Sequence, residues 1–298
     1  GVRALRWSAD GSTLFSAGGD RSLRAWDPAF RGYGGLRGAY GENNYSVTFS
    51  RDGAYVACSS SDGTIGTVDT RTGAEASRFK TAHEREVCTA ALSPDGRWLA
   101  SCSWDRTFRV HDRTSGAEIA RIDLAGGAAY FAWSPDGTRV ALALRDRTAV
   151  IVNTSDWSVT RALAGHTGGV NTVAWSGDGA EVLTGSSDAS ARVWNATTGE
   201  CVAVMKADKD APGGHTGPIE SAVFVPGTNL VVTASHDGSV RAWDGAGGTL
   251  VRVLMESSDT IYRVAASPDG KRLVAVGRFL YLLDPGSEGA LLREKPFE

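Results

Sequence analysis

Residues 175–195 read WSGDGAEVLTGSSDASARVWN, and variants of this stretch return at regular intervals along the chain. The stretch combines a Gly-Asp-Gly turn, an apolar run, a second turn that contains Asp, and a final apolar run that ends in Trp-Asn. Related stretches cover the following ranges: 7–27, 49–69, 92–112, 133–153, 224–244 and 266–284. Self-similarity at a fixed period indicates a repeat architecture.

The first-turn glycines define the period, and they are Gly11, Gly53, Gly96, Gly137, Gly179, Gly227 and Gly270. Their spacings are 42, 43, 41, 42, 48 and 43 residues, so seven units account for nearly all of the 298 residues. We therefore predict a single domain over residues 1–298. Its units cover residues 1–40, 41–82, 83–125, 126–165, 166–205, 215–255 and 257–298.

Each unit reads as four strands, which in the fifth unit cover residues 170–176, 181–187, 191–195 and 201–206. The fourth strand of the first unit is predicted over 35–40, and that of the seventh over 290–296. The predicted strands contain more apolar residues than a simple alternation of buried and exposed positions would give, which indicates strands that are buried on both faces. One four-stranded sheet cannot bury two apolar faces, but seven sheets packed radially can. The predicted fold class is all-β.

The composition excludes several classes of protein. The net charge of −3 argues against a broad nucleic-acid footprint, which needs clustered Lys and Arg. No apolar run reaches about 18 residues, so we predict no membrane insertion. The four cysteines form no CxxC pair and lie in apolar, strand-like runs: Cys58, Cys88, Cys102 and Cys201. Because buried free thiols are typical of reduced compartments, we expect a cytoplasmic, intracellular protein without zinc.

The motifs of the repeat resemble those of the WD-repeat family of β-propellers over essentially the full length of the chain. The resemblance rests on Trp-Asp pairs, on Gly-His pairs and on the unit length of about 42 residues. The pairs are Trp26–Asp27, Trp243–Asp244, Gly165–His166 and Gly214–His215. The resemblance implies a seven-bladed β-propeller with four antiparallel strands in each blade. It also implies a non-catalytic scaffold for protein–protein interaction.

Blades of this family often contain a hydrogen-bonded tetrad of a His, a Ser or Thr, an Asp and a Trp. The resemblance implies structural tetrads in the fifth and sixth units, formed by His166, Thr184, Asp188 and Trp194, and by His215, Thr233, Asp237 and Trp243. The other units retain only parts of the tetrad. Such sets resemble catalytic triads in composition, but an enzyme does not need several copies at repeat spacing, so a structural role is favoured.

Residues 103–112, SWDRTFRVHD, raise the alternative of an acid–base or metal site, because Asp105, His111 and Asp112 lie close together in sequence. On a strand, His111 and Asp112 point to opposite faces and cannot easily converge on one ion or proton. The third unit also has His83 at the His position of the tetrad, and His111 occupies the Trp position. We interpret His111 as a structural residue, and we predict no metal and no cofactor.

The resemblance implies that partners bind on the face formed by the loops before the first strand and between the second and third strands. The predicted partner-binding residues are Arg3, Tyr45, Glu86, Trp104, Arg145, Glu220, His236 and Tyr262. Tyr, Trp and Arg are the residue types that anchor interfaces. We expect a protein or peptide partner, within a larger complex or chain. The polar insertion at residues 205–214 is predicted to lie on the same face.

Two other functions remain open at this point. An enzyme that uses the channel mouth would need convergent groups from different units in one pocket, and no His/carboxylate metal set occurs at the aligned loop positions. A nucleic-acid or phosphate reader would use Arg3, Arg85 and Arg145, but neighbouring glutamates such as Glu84 and Glu86 weaken the positive field. Nucleic acid is therefore the less favoured partner.

Overall fold

The computed structural model describes residues 2–8, 10–18, 23–26, 33–36, 44–207, 213–286 and 291–296. Within these residues the secondary structure consists of strands and turns, and no helix occurs. The all-β fold class is confirmed. The chain forms two compact units, Gly1–Trp133 and Ser134–Glu298, which are described separately below.

The described strands are short and follow one another at the spacing of the repeat. They are β1 (Val2–Trp7), β2 (Leu14–Gly18), β3 (Leu23–Trp26), β4 (Tyr33–Leu36), β5 (Asn44–Phe49), β6 (Tyr55–Ser60), β7 (Thr64–Asp69), β8 (Glu75–Lys80), β9 (Val87–Leu92), β10 (Trp98–Ser103), β11 (Thr107–Asp112), β12 (Glu118–Asp123), β13 (Ala128–Trp133), β14 (Arg139–Leu144), β15 (Thr148–Asn153), β16 (Val159–Ala164), β17 (Val170–Trp175), β18 (Glu181–Ser186), β19 (Ala191–Asn195), β20 (Cys201–Met205), β21 (Ile219–Phe224), β22 (Leu230–Ser235), β23 (Ser239–Asp244), β24 (Leu250–Glu256), β25 (Arg263–Ala266), β26 (Leu273–Val276), β27 (Phe279–Leu283) and β28 (Leu291–Pro296).

These strands form seven four-stranded antiparallel sheets, each made of consecutive strands of the chain. The sheets are β1–β4, β5–β8, β9–β12, β13–β16, β17–β20, β21–β24 and β25–β28. The predicted arrangement of seven units with four strands each is confirmed for the described residues. The grouping of all units into one domain with the predicted boundaries stays a prediction.

The position of one strand was predicted wrongly. The fourth strand of the first unit was expected over 35–40, but β4 covers Tyr33–Leu36, and residues 37–40 lie outside the described part of the chain. The backbone register sets Tyr33 opposite Trp26 and Leu36 opposite Leu23, so pairing with β3 begins two residues earlier than expected. Glycines fill the middle of β4, and this left the sequence without a period-2 pattern that could place the strand.

The first turn of each repeat is stabilised by its own side chains. In the fifth repeat, Ser176 Oγ donates to Asp178 Oδ1 at 2.6 Å, and the same carboxylate oxygen accepts the amide of Ala180 at 3.0 Å. Gly179 closes the turn with a φ of 72°, a conformation that glycine adopts without steric cost. These local interactions explain why the turn recurs as a short fixed motif.

Burial follows the order of the strands within each sheet. In the sheet of residues 128–164, β14 and β15 are almost fully buried, whereas most residues of β16 are exposed. In the unit Ser134–Glu298, one core cluster joins Val232 and Val240 of the sixth repeat to Val264, Leu273 and Leu283 of the seventh. Neighbouring sheets therefore cover each other's apolar faces.

Side chains on the first strand of one sheet also form hydrogen bonds with backbone groups on the first strand of the next sheet. In residues 1–133, Ser46 Oγ accepts the amide of Ala90 at 2.9 Å, and Thr48 Oγ1 donates to the carbonyl of Ala90 at 2.8 Å. In residues 134–298, Asn171 Nδ2 donates to the carbonyl of Ile219 at 3.0 Å. These bonds give hydrogen-bond partners to buried polar groups between neighbouring sheets.

The second turn places the residue after its Asp in the left-handed region. Glycine occupies this position in Gly63 (φ 86°) and Gly238 (φ 82°), whereas Arg106 (φ 65°) and Arg147 (φ 81°) adopt the same conformation with a side chain. The turn geometry therefore does not strictly require glycine. Non-glycine residues pay roughly 1–2 kcal/mol of local strain there.

We predict that Gly63→Ala and Gly238→Ala differ in cost although their φ angles are similar. A Cβ at position 63 would have no atom closer than 3.9 Å, but one at position 238 would lie 1.9 Å from the carbonyl oxygen of Ser257. Gly63→Ala should lower the free energy of unfolding by about 1 kcal/mol, and Gly238→Ala by clearly more. Chemical denaturation measures both, and equal losses would contradict the prediction.

Candidate functional site

The predicted tetrad residues of the fifth repeat lie within hydrogen-bond distance of one another. His166 Nδ1 is 2.9 Å from Asp188 Oδ2, and His166 Nε2 is 2.8 Å from Thr184 Oγ1. Trp194 Nε1 donates to the same Thr184 oxygen at 2.8 Å. The sixth repeat shows the same contacts, at 2.9, 2.7 and 2.8 Å, among His215, Asp237, Thr233 and Trp243.

One group in the network can only donate, the indole N–H of Trp194, so Thr184 Oγ1 accepts its hydrogen. The Thr184 hydroxyl hydrogen has two acceptors within reach, His166 Nε2 at 2.8 Å and the carbonyl oxygen of Arg192 at 3.4 Å. His166 Nδ1 contacts both Asp188 Oδ2, at 2.9 Å, and Ser190 Oγ, at 3.2 Å. The His166 ring therefore bridges a hydroxyl group and a carboxylate.

Asp188 is the acceptor on which the turn depends. Burial raises the pKa of its carboxyl, but hydrogen bonds from His166 and Ser190 outweigh burial and hold the pKa well below its usual range. The amide of Thr167 also donates to Asp188 Oδ2, at 2.8 Å, and thereby joins the loop before β17 to the turn after β18. The carboxyl of Asp237 is held in the same way.

The third repeat has the same bonds without the Trp. His83 lies 2.9 Å from Asp105 Oδ2 and 2.9 Å from Ser101 Oγ. His111 is buried at the Trp position, with its ring centroid 5.2 Å from that of Phe79, and its Nδ1 has no hydrogen-bond partner in the described part of the chain. His111 therefore occupies a core position and does not meet Asp105 or Asp112 in a shared site.

Burial limits the chemistry that the hydrogen-bonded sets around the three histidines can perform. The side chains of His83, His166 and His215 have no exposed surface. A general base must come within hydrogen-bond reach of a substrate proton, and these imidazoles are already bonded on both nitrogens. Among the described residues, no group of three or more His, Cys, Asp or Glu side chains is arranged to hold a metal ion.

The buried imidazoles make stability depend on pH. Burial lowers the pKa of His215 and of His83, although their Asp partners act in the opposite direction, and burial likewise lowers the pKa of His111. The unfolded chain, with a His pKa of about 6.5, then binds protons more readily than the folded chain. The stability that the neutral rings contribute is present above about pH 6.5 and is lost as the pH falls.

In the unit Ser134–Glu298, four of the predicted partner-binding residues lie in one chain of contacts. Arg145 Nη1 donates to Asn171 Oδ1 at 2.5 Å, and Asn171 Nδ2 lies 3.3 Å from Glu220 Oε1. The same Glu220 oxygen is 3.3 Å from His236 Nε2, and the His236 ring meets the Tyr262 ring edge to face at 5.8 Å. We call these five residues the loop surface.

The elements of the fold explain how the loop surface forms. Arg145 and His236 lie in second turns, Asn171 and Glu220 are the second residues of β17 and β21, and Tyr262 directly precedes β25. Repeat geometry brings each turn beside the first strand of the next sheet. Asn171 is buried and holds the polar groups in place, whereas Arg145, His236 and Tyr262 are exposed.

The other predicted partner-binding residues lie in the unit Gly1–Trp133. The amide of Trp104 donates to the carbonyl of Glu86 at 3.4 Å, and Glu86 is exposed. Arg3 and Tyr45 belong to β1 and β5, but their side chains lie outside the described residues. The described part of the insertion, residues 205–207 and 213–214, does not test its predicted face.

Sequence reasoning did not show that Asn171 connects Arg145 to Glu220. It also missed Arg263, whose Nη1 donates to the carbonyl of Glu220 at 2.9 Å. Position within the repeat was the one sequence signal for this contact, because Asn171 and Glu220 occupy equivalent positions in consecutive repeats. The contact itself depends on the spacing of two sheets, which a single repeat does not encode.

Comparison with known proteins agrees with this geometry. The family described as WD40 (WD domain, G-beta repeat) matches residues 1–27, 42–66, 76–112, 157–195 and 199–244, which together make up more than half of the chain. The chain belongs to the WD40 family. The suspected resemblance is thereby confirmed, and WD40 propellers are typically protein-interaction scaffolds and generally non-catalytic.

A chain in the crystal structure of the mitotic checkpoint complex has a similar fold, with a TM-score of 0.83. The match has 19% sequence identity and covers 95% of this WD40 chain and 86% of that chain. This likeness supports the fold class, a seven-bladed β-propeller, and nothing more specific. No curated protein matches the sequence significantly. Within the described ranges, no helix is long and apolar enough to cross a membrane.

Asp188→Ala should lower the free energy of unfolding by roughly 1–3 kcal/mol, because His166, Thr167 and Ser190 lose a charged acceptor. Asp146→Ala is the matched control, since Asp146 occupies the same turn position but, among the described residues, bonds only to the amide and hydroxyl of Thr148. The control should cost clearly less. Urea denaturation of both variants measures the difference, and an equal loss would show that the His contributes nothing.

His111→Trp should leave stability unchanged or raise it by up to about 1 kcal/mol, because the indole N–H can donate to Ser101 Oγ as Trp194 does to Thr184. The variant should also lose less stability than the parent protein between pH 7.5 and 5.5, since one buried imidazole is absent. Denaturation at both pH values tests both statements. A marked destabilisation, or an unchanged acid sensitivity, would contradict the structural role of His111.

Proposed function

We propose that the chain is a non-catalytic scaffold that binds a protein or peptide partner at the loop surface. The observation that carries the proposal is the continuous series of contacts from Arg145 through Asn171 and Glu220 to His236 and Tyr262. The series joins four consecutive repeats into one surface. Arg and Tyr are enriched among the residues that dominate binding energy in interfaces.

The loop surface is organised before a partner arrives. Asn171 holds Arg145 on one side and Glu220 on the other, and Arg263 holds the backbone carbonyl of Glu220. Side chains that are already ordered lose less conformational entropy on binding. Tyr262 keeps 45% of its surface exposed, so a partner can still bury a large aromatic area.

The burial of the His–Asp pairs supports binding rather than catalysis. His166 and His215 are shielded from solvent and bonded on both ring nitrogens, so a substrate cannot reach them without local unfolding. Their bonds join loops to turns beneath the surface where we propose that the partner binds. In this proposal the pairs keep the loops in place and do not contact the partner.

The proposal also includes the predicted residues of the other unit and a location. Glu86 and Trp104 are proposed as further partner contacts, and Arg3 and Tyr45 are included on the basis of sequence position. The expected partner is a protein within a larger complex, and the expected location is the cytoplasm. Cys58 supports a reduced compartment, because it is a free, buried thiol whose pKa burial raises to about 12.

Two alanine variants at residues with a similar exposed fraction test the proposal. Tyr262→Ala removes an exposed side chain from the loop surface, and Val202→Ala removes one of similar exposed fraction, 47%, from the outer strand β20. Proteins captured from a lysate by the parent protein are identified by mass spectrometry, and the affinity of the purified partner is then measured. Tyr262→Ala should weaken binding by about 30-fold, as a hot-spot residue does, and Val202→Ala by less than about 2-fold.

Thermal unfolding of both variants provides the control for folding. Both should unfold within a few degrees of the parent protein, since nearly half of each residue is exposed. A partner that binds Tyr262→Ala as tightly as the parent protein, or that loses affinity equally with Val202→Ala, would refute the loop surface as the binding site.

A further inference from the structure

A cleft of about 430 Å³ lies in the unit Gly1–Trp133, between the second and third sheets. It opens beside the Ser-x-Asp-Gly turns, at the end of the strands opposite to the second turns. Its lining includes Arg51, Asp52, Tyr55, Pro94, Asp95 and Arg113. We call it the Tyr55–Arg113 cleft, because these two side chains line it and pack on each other.

Arg113 is held in one orientation. Its guanidinium carbon lies 4.4 Å from the centroid of the Tyr55 ring, and its Nε donates to the carbonyl of Gly96 at 2.9 Å. Its backbone amide donates to the carbonyl of Arg97 at 3.0 Å. Within the described residues, the two terminal Nη atoms donate no hydrogen bond. An ordered guanidinium with both Nη atoms available is suited to a bidentate bond with a carboxylate.

Other repeats show that the turn does not require an arginine. In the second repeat, Thr70 Oγ1 donates to the carbonyl of Gly53 at 2.8 Å, and in the fourth, Thr154 Oγ1 donates to the carbonyl of Gly137 at 3.0 Å. These glycines are the equivalents of Gly96. A threonine hydroxyl therefore makes the bond that Arg113 makes with Nε alone. The rest of the guanidinium is not needed to close the turn.

The neighbouring cleft in the same unit provides an internal comparison. It lies between the first and second sheets, has a volume of about 300 Å³, and is lined at the equivalent positions by Thr13 and Thr70. The Tyr55–Arg113 pair thus replaces a pair of threonines. The tyrosine contributes a flat aromatic face and the arginine contributes a planar cation with several donors. Both are groups that commonly bind ligands.

The acidic residues of the cleft are bonded to their own turns. Asp52 Oδ1 accepts the hydroxyl of Ser50 at 2.6 Å, and Asp95 Oδ1 accepts the hydroxyl of Ser93 at 2.5 Å. Their formal charges offset those of Arg51 and Arg113. The hydrogen bond from Ser50 lowers the pKa of the Asp52 carboxyl, and Arg113 is close enough to help lower it. A ligand must therefore combine an anionic group for Arg113 with contacts to the surrounding walls.

We propose that the Tyr55–Arg113 cleft is a second binding site, which takes a Glu or Asp side chain of a partner peptide. The carboxylate would accept hydrogen bonds from Nη1 and Nη2 of Arg113, and the adjacent peptide chain would pack on Pro94 and Tyr55. The site shares no residue with the loop surface, so it goes beyond the function proposed above. It would allow one chain to hold two partners, or two segments of one partner.

Nuclear magnetic resonance of the ¹⁵N-labelled protein can test the proposal directly through the Nε–Hε signal of Arg113. The probes are an acetylated hexapeptide of alternating Ala and Glu, its Gln analogue, and inorganic phosphate. The Glu peptide should shift the signal saturably, and the Gln peptide should bind at least about 10-fold more weakly, since a neutral amide replaces the charged acceptor. Equal shifts by phosphate would indicate a simple anion site and refute the peptide proposal.

Arg113→Thr is the decisive variant, because threonine supports the same turn in two other repeats. It should retain the fold and weaken the Glu peptide by at least about 10-fold in fluorescence anisotropy. Arg85→Thr removes the same charge from an exposed loop of the same unit, and it should change affinity by less than about 2-fold. Undiminished binding by Arg113→Thr, or an equal loss in Arg85→Thr, would overturn the proposal.

A third variant keeps the test valid if Arg113→Thr fails to fold. Arg113→Lys retains the positive charge but replaces the planar fork with a single ammonium group. If the carboxylate is bound through two parallel hydrogen bonds, this variant should still weaken the Glu peptide by at least about 5-fold. Parent-like affinity would show that charge alone is recognised and would refute the bidentate site.

Discussion

Each sheet of this protein has two apolar faces, and a sheet of four strands cannot cover both by itself. The second and third strands are buried on both sides, as in β14 and β15, and only the outer strands such as β16 meet solvent. The shared core of Val232, Val240, Val264, Leu273 and Leu283 shows how neighbouring repeats meet this need. Because neighbouring sheets bury each other's faces, the groups that remain available for binding lie on the turns and loops.

The sequence predicted the strands of the fifth repeat to within about one residue, because the signals are local. Apolar runs, a turn carboxylate and a glycine such as Gly179 all act within a few positions of one another. β4 was misplaced, because its register is decided by pairing with β3 and its own residues carry little pattern. Prediction was thus accurate where the determinants lie within one repeat.

The contacts that matter most for a binding surface cross between repeats, and these could not be predicted. Loop position indicated Arg145 and Glu220, but the bridge through Asn171 depends on the distance between two sheets. The left-handed backbone conformation of Arg106 and Arg147 could not be predicted from the sequence either, since glycine occupies the same turn position in other repeats. An Arg in that conformation follows from the strength of the surrounding turn rather than from its own preference.

Repetition also separates residues that support the fold from residues that do more. The side-chain polar atoms of His166, Asp188 and Thr184 are bonded within the repeat. A corresponding set occurs in the third and sixth repeats. Arg113 differs, because Thr70 and Thr154 show that one hydroxyl meets the structural need at its position. The donors that exceed this need remain oriented by Tyr55. In a protein built from copies of one unit, such an excess over the structural minimum marks the positions where binding specificity can reside.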